Sequence, residues 1–279
     1  MKAGQSIQSS DLKYIRARST VIDLAGFPDF LILGPQRTGT TWLYHNLRRH
    51  PRIFLPDVKE TYYFSTLGKP DHAHYRFEDL EDYLELFRDT FRRRIKRHYD
   101  ALRQTRRFFR PDIYGEATAT YAMLPENIIE EILKLNPRLR AILMIRDPVE
   151  RAWSHAKKDL LRAGVRMDSV EDCWKFLESA GQLKCADYAG MAEKWRRFLP
   201  QGALFCGDYR RLSSDPGGLL ADLCRFLGVD ADLLPVTGLL QERINPTEDL
   251  PMPEGLRERL EERFAADRKE ALQLLRSER

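Results

Sequence analysis

The sequence predicts an α/β fold in which helices cover both faces of a central parallel sheet, so that the molecule has three layers. Short apolar runs alternate along the chain with helical patterns, and the runs end in Gly, Pro or charged residues. The 279 residues are 43% hydrophobic and 32% charged, which excludes a disordered chain and suits a sizeable core. We therefore expect residues 1–279 to form a single domain.

Each element of this prediction has its own sequence signal. The apolar runs predict five strands, at Phe30–Leu33, Ile53–Leu55, Ile113–Gly115, Ala141–Ile145 and Ala203–Cys206. Helices are predicted near residues 40–50, 79–110, 125–135, 148–163, 169–180, 187–199, 214–227 and 254–275. Pro125 and Pro148 stand near helix starts, where a missing N–H is tolerated. Residues 1–26 are expected to form a leading N-terminal arm.

Composition points to a cytoplasmic protein with anionic ligands. The net charge is +4, which favours anions without requiring nucleic acid. Cys173, Cys185, Cys206 and Cys224 lack metal-like or CxxC spacing, so we expect reduced thiols and no metal site. The first residues lack an apolar signal core, and no run reaches the roughly 20 apolar residues of a membrane span.

The most informative segment is the predicted strand–loop–helix unit at residues 30–49. Gly34 and Gly39 have the spacing of a Walker A loop, but Thr40 stands where an NTPase carries Lys, and the cation is Arg37 inside the loop. Such a loop presents backbone N–H groups and hydroxyls to an anion at a helix N-terminus. The candidate nucleotide ligands are Arg37, Thr38, Gly39, Thr40, Thr41 and Trp42. Trp42 would stack on a purine or, equally, belong to the core.

A second strand–turn–helix unit runs from Ala141 to Ser154. Arg146 follows the predicted strand directly, at the edge of the sheet where open α/β folds bind ligands. Ser154 lies about two turns into the next helix, so that one phosphate could be held between Arg146 and Ser154. Alternatively, Arg146 pairs with Asp147 or Glu150, and Ser154 is an ordinary helix residue.

Together these units resemble the sulfotransferase family that uses 3′-phosphoadenosine 5′-phosphosulfate (PAPS), in its bacterial and carbohydrate-type branch. Arg37–Leu43 (RTGTTWL) is similar to the family's loop for the 5′-phosphosulfate, and Arg146–Ser154 (RDPVERAWS) to its segment for the 3′-phosphate. Two further blocks, Gly115–Tyr121 and Tyr209–Gly228, resemble family segments in the matching order. The resemblance covers about residues 28–250 and implies the P-loop NTPase-like sulfotransferase fold.

The resemblance also implies the chemistry, which is transfer of a sulfuryl group from PAPS, as co-substrate, to a hydroxyl or amine without a metal. The transition state is loose and in-line, so positioning and charge stabilisation dominate. Arg37 would stabilise the leaving 5′-phosphate; many members carry Lys there, which can protonate the leaving oxygen, whereas Arg cannot act as an acid. Glu60 lies in Asp57–Phe64, which resembles the family segment with the base, and would take the acceptor proton. Otherwise Lys59 and Glu60 form a surface pair.

Residues that contact the acceptor are harder to assign. We expect Lys59, Glu116, Thr118 and Tyr121 to contact the acceptor, although Tyr121 could equally be a core residue. Arg243 stands where the family has a late loop over the nucleotide, and is expected to contact it. The acceptor is a small molecule, a glycan or a carrier-bound group, and composition does not choose among them.

The helical stretch within residues 85–110 is strongly basic. Its cations stand against Asp89 and Asp100 within residues 88–110, and they are Arg88, Arg92, Arg93, Arg94, Lys96, Arg97, Arg103, Arg106, Arg107 and Arg110. The stretch is either a solvated helix surface or a dock for an acidic partner. Nucleic-acid binding is not expected, because the stacking-aromatic pattern typical of RNA modules does not accompany it.

Two other functions fit parts of the pattern. A P-loop small-molecule kinase would explain the glycine spacing, but it predicts Lys in place of Thr40 and an acidic Mg²⁺ ligand at a strand end. A non-catalytic anion- or partner-binding protein would use the basic stretch alone. The joint presence of Arg37, Glu60, Arg146 and Ser154 argues against a protein without activity.

Overall fold

The structure is a computed structural model that describes residues 5–165, 169–235 and 250–277. A parallel five-stranded sheet lies at its centre, and two short antiparallel strands pair apart from it. The strands are β1 (Ser6–Gln8), β2 (Val21–Asp23), β3 (Phe30–Gly34), β4 (Ile53–Phe54), β5 (Ile113–Ala117), β6 (Arg140–Ile145) and β7 (Leu204–Asp208). The order across the central sheet is β4-β5-β3-β6-β7, which confirms the predicted parallel sheet and its strands.

Helices fill the connections between these strands. Their bounds are α1 (Thr40–Leu47), α2 (Tyr63–Thr66), α3 (Leu80–Leu84), α4 (Phe91–Thr105), α5 (Glu126–Leu135), α6 (Pro148–Arg162), α7 (Val170–Leu177), α8 (Ala180–Lys184), α9 (Tyr188–Phe198), α10 (Arg211–Ser214), α11 (Pro216–Leu227), α12 (Leu256–Arg263) and α13 (Ala265–Ser277). Short 3₁₀ turns lie at Ser9–Asp11, Glu85–Phe87, Tyr121–Met123 and Ala231–Leu233.

The predicted continuous helix over 79–110 is wrong. The chain forms α3 and a 3₁₀ turn, leaves helical geometry at Arg88, and starts α4 after Thr90. The Thr90 hydroxyl accepts a hydrogen bond from the backbone N–H of Arg93, at 3.5 Å, which satisfies one of the N–H groups that a helix start leaves unpaired. The break lets α4 turn its own face towards the protein, independently of α3.

Alternate side chains of β3 enter two different cores, which makes the three layers. Leu31 and Leu33 pack with the apolar faces of α5, α9 and α13, whereas Phe30 and Ile32 pack with α1 and α11. All four side chains are buried, as expected for a central strand covered on both faces. The loop after β3 therefore follows the central strand of the sheet, which is covered on both faces.

The residues of the expected N-terminal arm pack against the body of the protein. Strand β1 pairs with β2, and Ile15, Ile22 and Leu24 are buried in the larger core. The buried carboxylate of Glu131, on α5, accepts hydrogen bonds from the backbone N–H of Lys13 at 2.8 Å and of Tyr14 at 3.1 Å. The segment before β3 is thus held by hydrogen bonds to α5, one of the helices that cover the sheet.

Candidate functional site

The loop after β3 has the backbone geometry of an anion cradle. Arg37 and Gly39 both have positive φ, at 69° and 84°, and α1 starts directly after Gly39. A Cβ at Gly39 would stand 2.5 Å from Leu212 Cδ2, so this position requires glycine. The Thr38 hydroxyl donates to the carbonyl of Pro35 at 2.7 Å. This hydrogen bond joins two residues of the loop. Thr40 and Thr41 follow in the first turn of α1, at the end of the helix that faces the loop.

Two guanidinium groups converge on this loop. Arg37 Nε donates to the Ser154 hydroxyl at 3.0 Å, and Arg146 Nη1 donates to the Arg37 carbonyl at 2.9 Å. Burial, and then the positive charge of Arg146, lowers the pKa of Arg37. Two like charges held together in a half-buried position favour binding of an anion between or beside them. Arg37 thus contacts both Ser154 and Arg146, which the sequence did not predict, and a phosphate held between Arg146 and Ser154 stays a prediction.

Aromatic residues fix the orientation of Arg146. Its guanidinium lies over the ring of Tyr209, 4.5 Å from the centroid, and its backbone N–H donates to the Tyr188 hydroxyl at 3.3 Å. The alternative partners have other roles. Asp147 caps α6 through the backbone N–H groups of Val149 and Glu150, and Glu150 pairs with Arg257 at 3.0 Å. Arg146 is therefore directed to the loop.

The predicted base lies on the other side of the loop. Lys59 Nζ donates to Glu60 Oε1 at 3.1 Å and to Thr40 Oγ1 at 3.4 Å, which joins the Glu60 segment to the start of α1. Glu60 Oε2 is buried and has no hydrogen-bond partner among the described residues. Burial, and then the nearby Glu60 carboxylate, raises the pKa of Tyr62 to about 12. Lys59 and Glu60 are only 11% and 16% exposed, so they are not an ordinary surface pair.

The predicted acceptor contacts on β5 and beyond form a closed buried network. Glu116, Thr118 and Tyr121 are fully buried, so their side chains do not line an open cleft. Glu116 accepts hydrogen bonds from Thr118 at 2.6 Å, from Tyr83 at 2.6 Å and from Thr61. Thr118 Oγ1 in turn accepts from the backbone N–H of Thr61 at 3.1 Å. Burial raises the pKa of the Glu116 carboxyl, and the hydroxyl donors oppose that rise. Sequence reasoning missed Thr61 and Tyr83, because buried hydroxyls leave no motif.

Two further predicted contacts have different outcomes. Trp42 is buried in the core cluster that contains Ile142 and Leu223, which agrees with the core alternative, and its stacking on a purine stays a prediction. Arg243 lies outside the described residues.

Behind Ser154, a buried polar cluster holds α6 in place. Arg151 is fully buried, and its Nη2 donates to Gln182 Oε1 at 3.0 Å. Gln182 Nε2 lies 2.9 Å from His155 Nδ1, and His155 Nε2 lies 3.2 Å from Asp159. Burial, and then the Arg151 charge, lowers the pKa of His155 to about 4. His155 is therefore neutral at pH 7, with Nδ1 accepting from the amide.

The basic stretch makes specific contacts with the body of the protein. Arg97 lies over the ring of Phe54 at 4.1 Å and donates to Asp57 Oδ1 at 3.2 Å, and Arg93 approaches Asp57 Oδ2 at 3.5 Å. A cavity of about 460 Å³ lies between α1 and α4, and its lining includes Arg48 and Lys96. The stretch is thus partly structural, and its inner side adds positive charge close to the segment that carries Glu60.

Within residues 5–165, 169–235 and 250–277, no group of three or more His, Cys, Asp or Glu side chains is arranged to hold a metal ion. Across those residues, every helix is too short or too polar to cross a membrane.

A parallel sheet with a glycine-containing loop after its central strand, and two arginines at that loop, is the arrangement of an α/β protein that binds a nucleotide phosphate. Comparison with known proteins identifies the family, because the model of the sulfotransferase family matches residues 28–232. The chain belongs to the sulfotransferase family.

Individual relatives agree with this assignment. The chain is 28% identical over 218 residues to mouse bifunctional heparan sulfate N-deacetylase/N-sulfotransferase 4, covering 72% of this chain and 22% of that protein. It is 31% identical over 179 residues to rat carbohydrate sulfotransferase 15, covering 56% of this chain and 31% of that protein. The chain thus spans between a fifth and a third of these curated relatives. A sulfotransferase structure from Alicyclobacillus acidocaldarius has a TM-score of 0.64 at 22% identity, covering 89% of this chain and 96% of that chain, which confirms the fold.

Proposed function

We propose that this chain transfers the sulfuryl group of PAPS to a hydroxyl or amine of an acceptor. The observation that carries the proposal is the arrangement around the loop after β3. Arg37, Arg146 and Ser154 meet on one side of it, and Glu60, with an unpartnered buried oxygen, lies on the other. The first side suits a phosphorylated donor, and the second suits a group that must lose a proton.

The donor would be held by residues whose positions already favour an anion. Arg146 and Ser154 would bind the 3′-phosphate, and the loop from Arg37 to Thr41 would bind the 5′-phosphosulfate through backbone N–H groups and hydroxyls. Burial, and then the positive charge of Arg146, lowers the pKa of Arg37, which supports this fit, because a bound anion would relieve the repulsion between the two arginines. Arg37 would stabilise the charge that develops on the leaving 5′-phosphate.

Glu60 would act as the general base. Its Oε1 is held by Lys59, which leaves Oε2 to accept the proton of the acceptor hydroxyl or amine. As that proton moves to Glu60, the acceptor atom forms its bond to sulfur, and the bond from sulfur to the bridging oxygen breaks. The electron pair of the broken bond remains on the 5′-phosphate, beside Arg37. Lys59 also contacts Thr40, so it links the two halves of the site.

The buried network under this segment would position the base. Thr61 follows Glu60 directly, and its backbone and side chain are bonded to Thr118 and Glu116. Tyr121 lies 3.0 Å from the Thr61 hydroxyl and accepts the N–H of Phe64 at 3.2 Å. Because these groups are enclosed, we assign them to holding the segment in place and not to touching the acceptor.

The variant Glu60→Gln tests the assignment. It keeps the shape of the side chain but cannot accept a proton, so turnover should fall by about 10²–10⁴-fold. The affinity for adenosine 3′,5′-bisphosphate (PAP), measured by calorimetry, should stay within about twofold of that of the unchanged protein, because Glu60 is not expected to contact PAP. The control is Glu193→Gln, an exposed carboxylate on α9. An unchanged rate in Glu60→Gln would remove Glu60 as the base.

A thermal-shift assay separates the proposed donor from a nucleoside triphosphate. PAP should stabilise the protein, because ligand that binds only the folded state raises its melting temperature. Stabilisation by ATP–Mg²⁺ but not by PAP would instead favour a P-loop kinase.

A further inference from the structure

The outward face of α4 carries an apolar stripe. Among the described residues, eight large apolar side chains are exposed, and five of them lie between Phe91 and Phe108. Four define the α4 stripe: Phe91, Ile95, Tyr99 and Leu102 are 79%, 53%, 64% and 45% exposed. At about 100° per residue, they lie within about 80° of the helix circumference. Contiguous exposed apolar surface of this kind marks an interaction site.

The stripe faces solvent because the opposite side of α4 is fixed to the protein. Ala101 is buried in the larger core, and Arg97 is held between the rings of Phe54 and Phe109, at 4.1 and 5.5 Å from their centroids. The hydrogen bond from Arg97 to the carbonyl of Leu55, at 3.2 Å, secures the same side. The helix is therefore docked by its polar side, and its apolar side is presented outwards.

Cations border the stripe on both sides. Arg92 and Arg103 lie about 20–40° beyond one edge, and Arg94 lies about 60° beyond the other. All three are exposed, and none forms an ion pair with a residue that the structure describes. Arg106 and Arg107 add charge just after the helix. The acidic residue of α4, Asp100, instead lines the cavity on the inner side.

We propose that α4 docks on an anionic lipid surface, with the stripe in the interface and Arg92, Arg94 and Arg103 on the headgroup phosphates. An exposed aromatic and aliphatic stripe bordered by arginines is the pattern of helices that lie in a membrane interface. A convex helix face also suits a broad surface better than a pocket. A second copy of this chain is disfavoured, because pairing two α4 helices would bring the same unpaired arginines together. The proposal does not depend on the chemistry of the loop site.

The test is co-sedimentation of the full chain with vesicles. Vesicles of phosphatidylcholine with about a third phosphatidylglycerol should bind the protein, and phosphatidylcholine alone should not, because the cations need anionic headgroups. The triple variant Arg92→Gln, Arg94→Gln, Arg103→Gln should lower the partition coefficient by about 100-fold, at about fivefold for each charge. The double variant Phe91→Ser, Ile95→Ser should lower it by more than about tenfold.

The matched control is the double variant Val21→Ser, Leu272→Ser, which removes exposed apolar side chains from β2 and α13. It should bind as the unchanged protein does. Since all these side chains are exposed, thermal unfolding should show each variant folded. Equal binding to both vesicle types, no binding to either, or an equal loss in the control would overturn the proposal. Binding to polyglutamate that needs the stripe, without vesicle binding, would assign the surface to an acidic protein. A dimer that the stripe variant dissociates would assign it to a second copy.

Discussion

The variant Arg146→Ala should weaken the binding of a nucleotide that carries a 3′-phosphate more than the binding of a nucleotide that lacks it. In the structure its guanidinium is held before any ligand arrives, by the Arg37 carbonyl at 2.9 Å and the Tyr209 ring at 4.5 Å. A group that is already in place binds its partner without a further ordering cost. Because we assign this group to the 3′-phosphate, its loss should weaken the binding of a nucleotide that carries that phosphate more than the binding of one without it.

The magnitude follows from the kind of contact. A hydrogen bond to a charged group contributes about 1.5–3 kcal/mol, and about 1.4 kcal/mol corresponds to a tenfold change in Kd. Arg146→Ala should thus weaken PAP by about 10–150-fold. The binding of AMP, which has no 3′-phosphate, should weaken by less than about threefold. Ser154→Ala should also weaken the binding of PAP more than the binding of AMP, but by a smaller factor, because it removes one hydroxyl.

Calorimetric titration of both variants with PAP and AMP measures this difference directly. Arg225→Ala, on the outer side of α11, is the control for loss of a surface charge. Thermal unfolding must accompany the titrations, because Arg146 also supports the backbone of the loop. If Arg146→Ala weakened PAP and AMP by the same factor, the loss would lie in the loop's shape, and the assignment of Arg146 to the 3′-phosphate would be refuted.

Three other outcomes are expected. Arg37→Ala should lose most turnover with PAPS while Arg37→Lys keeps part of it; a steady-state rate for Arg37→Ala near that of the unchanged enzyme would contradict the role. Glu116→Ala should lower the free energy of unfolding by about 3–5 kcal/mol in a urea titration, since it strands buried hydroxyl donors; a loss below about 1 kcal/mol would disprove the network. His155, whose pKa burial and Arg151 lower to about 4, binds a proton more readily unfolded, so stability should be complete above about pH 6.5 and fall towards pH 4. His155→Asn should flatten that fall in the unfolding free energy, and a slope equal to that of the unchanged protein would count against it.

The sequence predicted the sheet well because its strands carry unambiguous signals. Phe30–Leu33 and Ala141–Ile145 are continuous apolar runs, followed by Gly34 and Arg146, as is typical of buried parallel strands. Strands β1 and β2 escaped prediction because each has three residues and one side chain at most is buried. The break between α3 and α4 was missed for a related reason: Arg88, Asp89 and Thr90 are not helix breakers, and only the packing of both helices requires the turn.

The residues expected at the donor and those expected at the acceptor have different surroundings in the structure. Arg37 forms hydrogen bonds with both Ser154 and Arg146, although the sequence suggested only that Arg146 and Ser154 share a phosphate. Glu116 and Tyr121 were expected near the acceptor, but whether a polar side chain on a strand end faces a cleft or the interior depends on its neighbours. Here Tyr83, from a distant helix, closes over Glu116 at 2.6 Å. Such a contact has no trace in the sequence near either residue.

The order of strands in the central sheet has a consequence for how such proteins diversify. Strand β3 lies between β6, which leads to Arg146, and β5, which leads to the network under Glu60. Under the proposed reaction, the machinery for the common donor and the machinery for the variable acceptor occupy opposite flanks of one strand. Under this proposal, substitutions on the β5 side of the strand would change the acceptor half of the site and leave Arg146 and Ser154, on the β6 side, as they are.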